Sequence, residues 1–554
     1  MEPRAPSPPQ IRSDSVTVTQ RLADVVVVGS GGAGLVAALR AHDRGARVVV
    51  IEKSPKIGGT TAVSGGVLWI PRNRHMAALG VQDSREDALA YLRRAAFGQT
   101  TDALLEAFVD RSPEMLDYLE ARTVLRFSAV RRPDYHPEWV GARAAGRSLD
   151  NAPFDSSRLG PARDLLRRSP HYPPITYRER YQWSRPEQFD WELIGRRIER
   201  GVLTLGGALV GGLFKACLDA GVEFAVGTRV RELVRRGGRV AGVRATDAGG
   251  GTIELAAARG VVIASGGFEW NPRLVAHFLR GPLAAPATPP WNTGDGLLMG
   301  LGVGANLGNM NEAAWFPVIR IPGEEYDGRP VARLIVEERS RPGSIVVNRR
   351  GRRFVNEAAS YDDFARSFHV FDADAYDYAN LPAYLVFDQR FRQRYNVTTV
   401  MPGDAPPAWF AIGETPAALA HALGIDAAGL AATIDRFNEL AARGEDPDFR
   451  RGASAHDRFN GDPAHGPNPC LGPLDTPPYY AVELLPGSVS TKGGLLCDAG
   501  ARVLDVEDAP IPGLFACGNA MASSVGIGYP GAGGMLGPGM TFGYIAGDRV
   551  AADA

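Results

Sequence analysis

The residues best suited to chemistry stand near the start of the chain. Ala23 to Gly34 reads ADVVVVGSGGAG and sets Gly29, Gly31 and Gly34 in a GxGxxG spacing after four valines. Such a run binds a dinucleotide pyrophosphate. The first glycine permits the tight turn, the second lets the backbone approach the ligand, and the third lets the next helix pack on the strand. Gly32 and Ala33 belong to the same contact, and the helix from Leu35 to Arg44 would aim its N-terminus at the phosphates. Arg47 to Ile51 reads as a second buried strand. Glu52 closes it 18 residues after Gly34, near the spacing of an acid that takes a ribose hydroxyl. A lone GxGxxG is weak, but here strand, glycines, helix, strand and acid follow in order.

Lys53 comes next, and then a second small-residue loop with Gly59, Thr60 and Thr61, followed by Ser64, Gly65 and Gly66. A nicotinamide enzyme has no need of that loop. Two later segments match its character: Gly260 to Gly267 (GVVIASGG), with Ser265 and Gly266, and Leu514 to Asn519 (LFACGN), with Gly518 and Asn519. In this order the motifs resemble the FAD-binding domain of the fumarate reductase/succinate dehydrogenase flavoprotein superfamily over nearly the whole chain. The resemblance implies FAD, with Val230, Asp295, Gly534 and Leu536 as further cofactor contacts. It also implies an α/β fold: a Rossmann-like two-dinucleotide-binding FAD domain interrupted by an α+β catalytic domain. The expected boundaries are 19–310 and 488–554 for the FAD domain and 311–487 for the insertion.

Three segments go further: DYHPE at Asp134 to Glu138, RPGSIVVNRRGRRFVNEAASYDDF at Arg341 to Phe364, and GYPGAGGMLGPGMTFGY at Gly528 to Tyr544. Together they resemble the 3-ketosteroid Δ1-dehydrogenases, which remove hydrogens from C1 and C2 of a steroid A-ring. The resemblance implies that Tyr361 is the base, that Tyr135 assists it, and that Tyr529 with the Gly533 backbone N–H holds the 3-keto oxygen. Arg132 departs from it, standing where many relatives carry tyrosine, and so does the run Gly534-Met535-Leu536. These departures bear on substrate preference more than on reaction type. The residue types suit the chemistry in their own right. Breaking a C–H bond beside a carbonyl builds enolate charge, which a phenol O–H and a backbone N–H can stabilise. A phenol, with an ordinary pKa of about 10, serves as base only if a neighbour stabilises its anion. A helix N-terminus after Gly533 would favour the anionic reduced flavin. Two rival readings use the same fold: a Δ4-ketosteroid dehydrogenase, and a fumarate-type ene-reductase, for which no His/Arg constellation accompanies the C-terminal glycines.

The whole chain sets the limits for these motifs. Its 554 residues are 45% hydrophobic and 22% charged, with a net charge of -1. That is enough for two or more structural domains and argues against a nucleic-acid partner. Four scattered cysteines without CxxC, and nine histidines without HExxH, give no support for a metal site and fit a reducing cytoplasm. Residues 1–18 are polar and Pro-rich, a flexible tail without a signal-peptide core. Val202 to Phe214 is apolar but too short to span a membrane, so a buried helix is expected and peripheral membrane contact is allowed. Leu430 to Arg443 has the pattern of an amphipathic helix. Arg349, Arg350, Arg352 and Arg353 read as a solvated hairpin, Asn356 and Glu357 as braces for the Tyr361 loop, and Tyr544 and Cys517 as core. No second nucleotide unit is visible. Electrons would therefore pass from the flavin to an external acceptor, with a quinone as one candidate, and the expected substrate is a small-molecule steroid.

Overall fold

The computed structural model describes residues 19–182 and 186–553, so the predicted tail at 1–18 lies outside the described residues. The valine runs form the middle of an eight-stranded sheet. Strand Thr19–Val28 pairs in parallel with Val48–Glu52 on one side and Thr252–Ile263 on the other. Glu223–Val226 and Pro510–Ala516 extend the sheet in parallel beyond them. Parallel strands covered on both faces need continuous apolar sequence, and Val25, Val26, Val27 and Val50 have no exposed surface. Helices Gly32–Asp43, Leu205–Ala220 and Leu536–Val550 pack together beside the sheet. Gly543 permits one of these contacts, because a Cβ there would lie 2.4 Å from the Ala33 carbonyl oxygen.

The segment Val202 to Phe214 forms a short strand and then the helix Leu205–Ala220, which is buried along most of its length. No helix among the described residues is long and apolar enough to cross a membrane.

After the helix Asp295–Gly302 the chain builds a second, seven-stranded sheet. Strand Ala313–Tyr326 runs antiparallel to Tyr479–Thr491, which also pairs with Ala383–Asp388. Helix Ala427–Arg443 buries Leu430, Ile434, Phe437 and Leu440, as its periodicity predicts. The chain then rejoins the first sheet through Arg502–Leu504 and Pro510–Ala516. The arginine run departs from expectation. Arg349 and Arg350 do face solvent, paired with Asp377 at 2.7 Å and Asp372 at 2.9 Å. Arg353 is buried between Glu357 at 2.6 Å and Asp446 at 2.8 Å. The hairpin is thus pinned at one end by a charge network that residue spacing does not reveal.

Candidate active site

A cleft, open at its mouth, runs between the two sheets. One end is built from the glycine loops. Gly29 takes φ +110°, and a Cβ there would lie 2.3 Å from the Ala264 carbonyl oxygen, so only glycine fits. A Cβ on Gly31 would meet nothing closer than Thr61 Oγ1 at 3.7 Å, which leaves that amide side open to a ligand. Gly32 N–H donates to Thr61 Oγ1 at 2.9 Å, tying the two loops together. Glu52 accepts from Ser30 N–H at 3.1 Å, Ser30 Oγ at 2.7 Å and Ser54 N–H at 2.8 Å while still lining the cleft. Lys53 donates to Thr293 at 2.7 Å and Asp295 at 3.1 Å. Asn292 Nδ2 donates to Thr60 Oγ1 at 2.8 Å.

Of the predicted cofactor contacts, Gly29, Gly31, Gly32, Ala33, Glu52, Lys53, Gly59, Thr60, Thr61, Ser64, Gly65, Gly66, Val230, Ser265, Gly266, Asp295, Gly518, Asn519 and Leu536 all face this cleft. Two do not. Gly34 packs helix on strand, with a Cβ position 2.2 Å from the Gly29 carbonyl oxygen, and Gly534 faces a small neighbouring cavity. The glycine end suits a dinucleotide. Ser265 Oγ is buried there with no partner among the described residues, and helix Leu536–Val550 begins at the cleft without a side-chain cap.

The other end is aromatic. Tyr135, Tyr361 and Tyr529 form a triangle, with ring centroids 5.4 Å apart for Tyr135–Tyr361, 5.1 Å for Tyr361–Tyr529 and 5.6 Å for Tyr135–Tyr529. Tyr135 O–H donates to Tyr361 Oη at 3.1 Å. Burial pushes Tyr135 up to about 12, against the pull of Arg132 and of the Tyr361 bond. Burial also pushes Tyr361 well above its ordinary value, and Tyr529 upward. Burial thus disfavours the anion of either phenol, and as coupled groups the two share a titration. Gly533 has φ +94°, and its N–H donates to no group among the described residues.

Each tyrosine is positioned by its neighbours. Tyr361 opens helix Tyr361–Arg366, which Ser360 caps. The adjacent Asp362 accepts from Trp315 N–H at 2.8 Å and from Lys492 at 3.1 Å. Tyr135 N–H donates to the Pro530 carbonyl at 3.1 Å, fastening its loop to the Tyr529–Gly533 turn. Asp134, beside it, takes Trp69 Nε1 and Arg147, both at 2.8 Å. His136 reaches Asp363 at 3.0 Å and so ties the Tyr135 loop to the Tyr361 helix. Burial would lower the His136 pKa, but hydrogen bonds to Asp363 and Glu138 raise it to about 9. As predicted, Asn356 and Glu357 brace their loop, bonding Asp457 at 2.9 Å and Val346 N–H at 3.2 Å. Tyr544 and Cys517 are core.

The sequence reading missed part of the wall. Tyr172, Tyr177, Arg180 and Tyr181 all line the cleft. Their segment, HYPPITYRERY at His171 to Tyr181, interleaves aromatic and basic residues, a pattern that by itself does not tell a pocket wall from a surface.

This chain belongs to the FAD-binding-domain family, whose pattern matches residues 24–536, and it is an FAD-dependent oxidoreductase. Over 96% of its length it is 42% identical to 4-oxocyclohexanecarboxylate 2-dehydrogenase of Sinomonas cyclohexanicum, covering 93% of that protein. It is 37% identical to the 3-oxosteroid 1-dehydrogenase of Mycobacterium tuberculosis, covering 96% of this chain and 98% of the relative. The crystal structure of 3-ketosteroid Δ1-dehydrogenase from Sterolibacterium denitrificans, solved with 1,4-androstadiene-3,17-dione, superposes with a TM-score of 0.90 at 38% identity, covering 96% of this chain and all of that one.

Proposed function

We propose that the chain desaturates the bond between the carbons α and β to the ketone of a six-membered ring, in the manner of 1,2-dehydrogenation of a 3-ketosteroid A-ring. The observation that carries this reading is the convergence of Tyr135, Tyr361 and Tyr529 with the unengaged Gly533 amide at one end of a dinucleotide cleft. Tyr529 O–H and Gly533 N–H would hold the carbonyl oxygen and acidify the neighbouring C–H. The Tyr361–Tyr135 pair would take the proton from C2, with Tyr361 in contact and Tyr135 bonded behind it. FAD, held by the glycine loops, supplies the hydride acceptor for C1. The buried aromatic wall excludes water from the enolate, which strengthens both hydrogen bonds. The likeness to the 3-oxosteroid dehydrogenases supports a steroid substrate.

We also read the architecture as a two-dinucleotide-binding FAD domain with residues 311–487 inserted, and the electron acceptor as external and of quinone type. Four free, buried cysteines support a reducing, cytoplasmic setting. A second substrate reading keeps the reaction. The named substrate of the 42%-identical relative is a cyclohexanone carrying a carboxylate, and a buried arginine, Arg132, lies in this cleft.

The test is anaerobic mixing of the yellow enzyme with a 4-ene-3-keto steroid, with a 4-oxocyclohexane ring ketone and with succinate. Either ketone should bleach the flavin and yield the α,β-unsaturated product. Bleaching by succinate alone would move the assignment to dicarboxylate chemistry.

A further inference from the structure

Four lysine or arginine side chains line the cleft: Lys53, Arg132, Arg167 and Arg180. Three have carboxylate partners. Lys53 pairs with Asp295 at 3.1 Å, Arg167 with Asp327, and Arg180 with Glu337 at 2.6 Å. Arg132 has no carboxylate partner among the described residues, although it is only 3% exposed. Its Nη1 donates to Tyr181 Oη, its Nη2 to Asn460 Oδ1 at a long 3.3 Å, and its Nε to nothing. The rings of Phe459, Tyr181, Tyr135 and Tyr177 surround the guanidinium at 4.9 to 5.8 Å.

A guanidinium is always charged, and removing it from water is costly unless an anion meets it. Aromatic faces and neutral oxygens recover only part of that cost. Glu337 acts on this guanidinium only through space, so folding has placed a buried positive charge with no direct carboxylate partner among the described residues 5.5 Å from the Tyr135 ring, which itself lies 5.6 Å from the ring of Tyr529. The free Nε and the weakly engaged Nη2 form the edge that a carboxylate takes with two parallel hydrogen bonds.

We propose that Arg132 is the receptor for an anionic group on the substrate, so that this enzyme prefers a ring ketone bearing a carboxylate across the ring from its carbonyl. The inference rests on the ring-ketone reading above and specifies its substrate class. It orients the ring from both ends, with Tyr529 and Gly533 on the carbonyl and Arg132 on the carboxylate, and so fixes which α carbon faces the phenol pair. Interactions at the end of the ring remote from the reacting bond can in this way contribute to rate as well as affinity. In a neutral steroid the same region would face Arg132 with apolar ring atoms and leave its Nε unpaired.

The test compares 4-oxocyclohexanecarboxylate, its methyl ester and a neutral 4-ene-3-keto steroid on the FAD-loaded enzyme, with wild type, R132M and R132K. Wild type should prefer the acid to the ester by about a hundredfold in kcat/KM, mostly through KM, the size expected for one lost partner of a buried charge pair. R132M should bring the acid-to-ester ratio to about one, and R132K should restore part of the preference. A wild-type enzyme that handles acid and ester alike refutes the proposal without any variant. So does an R132M enzyme whose loss falls equally on acid and ester, leaving their ratio at the wild-type value. If none of the three ketones reduces the flavin, the ring-ketone reading itself fails. If only the steroid does, the reaction stands and the carboxylate receptor falls.

Discussion

Replacing Gly533 by alanine probes the centre of the proposed mechanism. The residue holds φ +94°, where a Cβ is strained, and that Cβ would sit 2.5 Å from Trp69 N, 2.6 Å from the Leu68 carbonyl carbon and 2.6 Å from the Val67 oxygen. All three are backbone atoms, and Trp69 N–H already donates to the Gly533 carbonyl at 3.2 Å. No side chain can swing aside, so the turn must move and carry the Gly533 amide off the carbonyl position. Loss of one such donor typically costs about 10²–10³ in rate, or about 2.7–4 kcal/mol. Tyr529→Phe removes the partner donor without disturbing the backbone and should cost a similar amount. If both donors address one oxygen, the double variant should lose less than the product of the two effects. The assay is single-turnover flavin reduction by a ring ketone, with FAD content and thermal midpoint measured alongside. G533A with full FAD occupancy and a near-normal reduction rate would refute the oxyanion assignment.

Other expectations follow from the same geometry. The proposed base acts when deprotonated, and burial raises both phenols, Tyr135 to about 12. Between pH 6 and 9, log kcat/KM should therefore climb with a slope of about one, and a flat profile would remove the phenol pair as base. Tyr361→Phe should abolish most turnover while leaving FAD content intact, as checked by flavin absorbance and single-turnover rates. The folded pKa of His136, about 9, lies above its unfolded value near 6.5. Its stabilising contribution is thus complete below about 6.5 and is lost as pH rises through about 9, with an upper size of about 3 kcal/mol. His136→Gln should accordingly lower the thermal midpoint most at pH 6 and hardly at all at pH 10. Glu52→Ala, which strands Ser30 and Ser54, should weaken FAD retention about tenfold or more by fluorescence titration.

The nucleotide end was legible because its physics is local. Turn, close approach and helix packing each demand a glycine at a fixed offset, and Gly29, Gly31 and Gly34 satisfy them within one segment. Gly534 fell outside the cleft because a glycine-rich run gives no sign of which amide faces inward. Tyr135, Tyr361 and Tyr529 could be paired with one another only through resemblance, since their meeting depends on the second sheet and on contacts such as His136–Asp363. The Arg353–Asp446 pair and the cleft-facing Tyr172, Tyr177 and Tyr181 were not legible for the same reason. Interleaved aromatic and basic residues look alike on a surface and in a pocket wall, and only packing decides between them.

The charge balance of the aromatic end unites these points. Three phenols share a region where burial keeps each of them neutral at ordinary pH. A neutral phenol pair removes a C–H proton only if the carbon acid is made stronger, the phenol pair is made more acidic, or both. Tyr529 and Gly533 serve the first requirement by meeting the developing oxyanion. Arg132 is positioned for the second, since its charge favours ionised Tyr135, yet a substrate carboxylate bound to Arg132 would neutralise that help. A carboxylated substrate should then depend more heavily on the oxyanion donors than a neutral one does. Tyr529→Phe should therefore cost more in flavin reduction with 4-oxocyclohexanecarboxylate than with its methyl ester. Equal losses on the two would show that Arg132 and the carbonyl site act independently.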